Sequence, residues 1–143
     1  MFETLTSRFR TWKRCEWEDI DKALDQDKEA RTTTNGPYVI WLRDRVEADE
    51  ELRSLSADDL VQRCTNCITE AERIALEGWF HWKTGGHLDI KNVTLSAGSR
   101  WLDGSVPVSN WIANSEFCVG GCRVDGRFDS FRAREVVSLP KAV

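Results

Sequence analysis

The stretch EFCVGGCRVDGRFDSFRAREVVSL, from Glu116 to Leu139, decides the fold. Two apolar-rich runs flank Asp125-Gly126, and Asp-Gly between such runs is turn chemistry, so the stretch reads as two strands and a turn. Arg123, Arg127, Arg132 and Arg134 are gathered within it. Upstream, Gly98, Asp103-Gly104, Pro107, Asn110, Asn114 and Gly120-Gly121 recur at short intervals, and His87 to Leu95 alternates apolar with polar residues. Short strands punctuated by turn residues predict an antiparallel meander or small barrel over 86–143.

Residues 1–85 carry a helical period. Phe2, Leu5, Phe9 and Trp12 are spaced as one helical face, and Glu16 to Arg31 continues with Trp17, Ile20, Ala23 and Leu24. Asn35-Gly36-Pro37 breaks the pattern. Beyond it, Val39, Leu42 and Val46 predict a helix opened by Pro37, although Tyr38 to Leu42 also has the composition of a buried strand. Ser56 with an acid at Asp59 signals a capping box. The helix it starts should run to Trp79 with Leu60, Cys64, Cys67, Ile68, Ala71, Ile74 and Ala75 on its apolar side. An aromatic cluster, Trp79 to Trp82, and Gly85-Gly86 close it. The expected fold class is α+β, with a mainly helical segment 1–85 packed on a small β module 86–143 around one shared core.

With 41% hydrophobic and 31% charged residues in 143, the composition is that of a globular chain. Its seven tryptophans each bring a large apolar area, so most should be at least partly buried; Trp12, Trp17 and Trp41 fit either a core or an interface, which leaves a homo-oligomer open. Through residue 75 there are 17 Asp/Glu against 12 Lys/Arg; beyond it there are 7 against 8. That balance argues against broad coating of nucleic acid, which needs a basic stripe, and leaves room for one local basic site. No apolar run approaches a membrane span, and MFETLTSRFRTWKR lacks the apolar core of a secretory signal, so a cytoplasmic protein without membrane partners is expected.

Cys64, Cys67, Cys118 and Cys122 have the paired look of zinc ligands. The first pair falls on the core face of a predicted helix and the second on a strand, which favours buried reduced thiols, and no metal or other cofactor is expected. His81 and His87 flank Gly85-Gly86 without a nucleophile motif, a phosphate-cradling loop or an H-E-x-x-H, so no enzyme is expected. The arginines carry the better signal. On an alternating strand Arg132 and Arg134 share a face, and paired guanidiniums hold phosphate or carboxylate through forked hydrogen bonds. Arg100, Arg123 and Arg127 could complete such a site.

The same segment resembles the end of WYL domains, Sm-like β modules of bacterial transcriptional regulators and some defence-associated proteins. The likeness rests on Cys122, the Asp125-Gly126 turn, the phrase from Phe128 to Val136, and Val106-Pro107 followed by Trp111. It implies a ligand- or nucleic-acid-sensing pocket with Arg132 as a basic and Phe117 as an aromatic member. The expected function is a non-enzymatic regulatory module that binds an anionic ligand, a nucleotide or a nucleic-acid segment through these arginines. The rival expectation is a small acidic adaptor or inhibitor that docks on a larger protein partner through residues 16–31 and 44–59 or exposed aromatics.

Overall fold

The computed structural model describes Ser7, residues 19–112 and 116–139, and the backbone of 11–13. In order these form β1 (Thr11–Lys13), α1 (Ile20–Ala23), β2 (Ile40–Leu42), α2 (Ala57–Gln62), α3 (Glu70–Thr84), β3 (Val93–Leu95), β4 (Val106–Ile112), β5 (Glu116–Cys122), β6 (Phe131–Arg132) and β7 (Val136–Ser138). The protein is a mixed α+β fold. A five-stranded sheet runs β1-β5-β4-β3-β6, and β2 pairs separately with β7.

The β4–β5 hairpin is the long ladder, in register from Val106↔Cys122 to Ile112↔Glu116. Phe117 and Val119 alternate inward from it. The sheet is not an all-antiparallel meander: β1 lies parallel to β5 and β3 parallel to β6. Nor do the described strands close into a barrel, since β2 and β7 stand apart from the larger sheet.

The N-terminal half supplies strands to both sheets, which corrects the helix-first order expected from the sequence. Trp12 lies in β1, a strand; Phe2, Leu5, Phe9 and Trp17 lie outside the described residues. Residues 40–42 form a strand, not a helix, because β7 offers them a ladder: Ile40↔Ser138, Trp41↔Val137 and Leu42↔Val136. Between residues 19 and 31 the helix is one turn, capped by Asp19, followed by a short 3-10 turn at Gln26–Lys28.

The helix expected from Ser56 to Trp79 is two helices. Ser56 and Asp59 form the capping box of α2 as anticipated. Cys64 then takes a left-handed φ of 54°, and Cys67 bridges Glu135. A second box, Thr69 with Glu72, starts α3 afresh, and left-handed Gly85 ends it. Gly98 packs on this junction so closely that a Cβ there would lie 2.6 Å from the Cys67 carbonyl oxygen.

Two apolar clusters straddle the halves of the chain. Ile20, Leu24 and Ile74 pack with Trp101, Phe117 and Val119. Leu52, Ala57, Leu60 and Cys67 pack with Leu95, Val106 and Ala133.

Candidate functional site

Helix α3 is amphipathic the wrong way round. Glu70, Arg73, Ile74 and Glu77 recur at helical spacing and all are buried. Glu72, Ala75, Leu76, Trp79 and Phe80, one helical face over, instead line a groove of about 650 Å³. Trp79 is 47% exposed and Trp82 72%. A buried charged face and an uncovered apolar one are the two informative departures from ordinary burial.

The buried face is stabilised by a dense ion network. Asp89, at a left-handed φ of 54° that Asp tolerates better than most residues, is its hub. Its carboxylate accepts from Arg73 Nε at 3.0 Å, Arg134 Nη2 at 2.8 Å and the Ala48 amide at 2.9 Å, as well as from the Thr94 hydroxyl. Arg73 also donates to Glu77 at 2.8 Å, and its guanidinium lies over the Phe117 ring. Arg134 spends its other donors on Thr94 and on the carbonyls of Arg45 and Val46. Glu70 accepts from Ser109, and burial pushes its carboxyl above the usual range. Arg73 and Arg134 thus face the carboxyl groups of Glu77 and Asp89 inside the fold.

The other wall of the groove is the segment Tyr38–Arg45. Arg31 and the Tyr38 hydroxyl both bind Glu72, at 2.7 and 2.9 Å, and tie this wall to the start of α3. On the outer face of the β2–β7 ribbon, Val39, Trp41, Val137 and Leu139 are all more than half exposed. They alternate with half-buried Ile40 and Leu42, as a pleated strand requires. The groove and this ribbon face make one continuous aromatic and aliphatic surface around Trp41, which lines both.

The arginines of the C-terminal segment are placed differently from the shared site expected of them. Arg134 is 2% exposed and bound within the ion network, and Phe117 is fully buried, so neither side chain lies on the surface. Arg123 forms a forked pair with Asp125, and Arg127 one with Asp59 at 2.7 Å. Arg127 holds the Asp59 carboxyl well below the usual range. Arg100 donates to the carbonyls of Ala97 and Ser99, and Arg132 reaches the Ala48 carbonyl at 3.4 Å. Arg100, Arg123, Arg127 and Arg134 are each bound to a neighbour within the chain, whereas Arg132 keeps a buried Nε without a partner.

Cys64 is exposed and Cys67 buried, while Cys118 and Cys122 are half-buried on β5. Among the described residues no three His, Cys, Asp or Glu side chains converge as a metal set. Burial pushes the Cys67 thiol up to about 12, which keeps it protonated. His87 sets Nδ1 2.7 Å from Glu77 and stacks between His81 and Trp111.

Sequence reading missed Ile40, Leu42 and Leu76 as site residues. The second apolar stripe at 75/76/79/80 was there to be counted, but a stripe does not say whether it will be covered. No helix among the described residues is long and apolar enough to cross a membrane. No family model matches the chain, nor does any curated protein or solved structure.

Proposed function

We propose that this protein is a non-enzymatic interaction module that docks an apolar, basic segment of a larger protein partner in the groove between β2 and α3. One observation carries the reading: α3 turns Glu70, Arg73 and Glu77 inward and leaves Leu76, Trp79 and Phe80 against open space. A fold that buries charge while exposing tryptophan has kept its apolar surface for another molecule. The commitment of Arg123, Arg127 and Arg134 to internal partners supports it further.

The basic character of the partner follows from the rim. From Asp44 to Glu51 the chain carries five carboxylates and one arginine, and Asp44 and Glu50 are exposed without an ion pair among the described residues. Anion binding through the C-terminal arginines is the second reading, favoured by Arg132, whose Nε is buried without a partner.

Panning a phage-displayed library of random peptides on the full chain tests both. Enriched peptides should lose at least about tenfold in affinity for Leu76→Ala/Trp79→Ala and bind Arg123→Ala/Arg127→Ala as wild type. Peptides indifferent to the groove substitutions would end the docking reading. Heparin or inorganic phosphate bound through Arg132 would move the assignment to the second.

A further inference from the structure

The ladder between β2 and β7 fixes where the backbone of β2 points. The Val136 amide donates to the Asn66 carbonyl at 2.8 Å, away from β2, so Leu42↔Val136 is a non-hydrogen-bonded pair. Pairs alternate in an antiparallel ladder. Trp41↔Val137 is therefore the bonded pair, and the N–H and C=O of Ile40 and of Leu42 project from the opposite edge. Among the described residues neither Ile40 nor Leu42 has another backbone partner. Both line the groove faced by Leu76, Trp79 and Phe80.

We infer that the partner segment binds as an added β-strand on the free edge of β2; this rests on the docking reading above and specifies its form. A strand offers N–H and C=O groups at the two-residue spacing of Ile40 and Leu42, whereas a helix satisfies its own and would leave this edge unpaired. Alternate side chains of the added strand face two surfaces. Those on the side of Ile40 and Leu42 enter the groove over Leu76, Trp79 and Phe80, and those on the side of Trp41 extend the exposed ribbon face of Val39, Trp41 and Val137. Charge selects the ends. Arg43 is occupied by Asp49 and Glu135, so the rim beyond Leu42 presents Asp44, and a lysine or arginine of the partner lies opposite it. The chain's own net charge of −4 argues for a basic partner over a second copy.

Amide hydrogen exchange on the full chain, with and without a peptide enriched by the panning, tests the mode. Strand addition slows exchange at the Ile40 and Leu42 amides at least about tenfold and leaves Trp41, already bonded to Val137, unchanged. Leu42→Pro removes one outward N–H but no β2–β7 bond, and should weaken the peptide about tenfold. Replacing alternate peptide amides by N-methyl groups should do the same on the unaltered protein. A peptide that needs Leu76 and Trp79 yet protects neither amide, and that tolerates N-methylation, would leave groove docking standing and overturn strand addition. A peptide indifferent to Leu76 and Trp79 would overturn both. Protection of Ile40 and Leu42 that grows with protein concentration in the absence of peptide would assign the edge to a second copy and overturn the basic partner.

Discussion

Arg134 is the residue whose environment differs most from its sequence appearance. On a strand rich in arginine it reads as a ligand contact, and in the fold it holds Asp89 against Arg73 with almost no exposure. Removing one member of a buried ion network leaves its partner uncompensated, so Arg134→Ala should cost about 3–5 kcal/mol. Urea denaturation measures this, and a loss below about 1 kcal/mol would mean that the network is not what holds β6 and β7 against the 45–49 loop. Glu29 gives a pH prediction. Burial, with Glu70 and Glu72 nearby, raises its carboxyl to about 7, despite the hydrogen bond from Ser99. A raised carboxyl holds its proton more tightly in the folded state, so its contribution is complete below about 4.5 and is lost as pH rises through 7. Glu29→Gln cannot ionise, so its melting temperature should gain on wild type between pH 5 and pH 8; an equal gap at both pH values would refute the assignment.

At the scale of elements, the break between α2 and α3 decides where the groove lies. The apolar period runs through Cys64 and Cys67 without interruption, which is why the sequence reads as one helix. Thr69-Glu70-Ala71-Glu72 is nonetheless a capping box of its own, as legible as Ser56 to Asp59. Thr69→Ala should destabilise the fold by about 1 kcal/mol, since the buried Thr69 hydroxyl accepts from the Glu72 amide at the helix start. Equal urea midpoints for variant and wild type would show that the cap is dispensable. Strand β2 could not be found in the same way. Its residues serve a strand or a helix equally, and β7, far along the chain, decided between them.

The whole molecule does not divide near residue 85. Strand β1 completes the larger sheet beside β5, β2 completes the smaller beside β7, and both apolar clusters draw on each half. Residues 86–143 expressed alone should therefore show neither a cooperative melt nor dispersed amide resonances, and co-expression with 1–85 should restore both. A fragment that melts cooperatively by itself would overturn the shared core.

The sequence by itself determined the Asp125-Gly126 turn, the capping of α2 and the mixed α+β class, because each rests on residues close together in the chain. The strands flanking that turn pair elsewhere, β5 with β4 and β7 with β2. The sequence predicted Arg132 and Arg134 on one face of a single strand, whereas Arg134 lies between β6 and β7 and meets Asp89. Only the tertiary structure decided which face of α3 is buried, that residues 40–42 extend and that Arg123, Arg127 and Arg134 pair with carboxylates of the same chain. The physical reason is the same each time. A charge is tolerated inside, and an apolar stripe left outside, according to partners that chain distance hides and folding brings together.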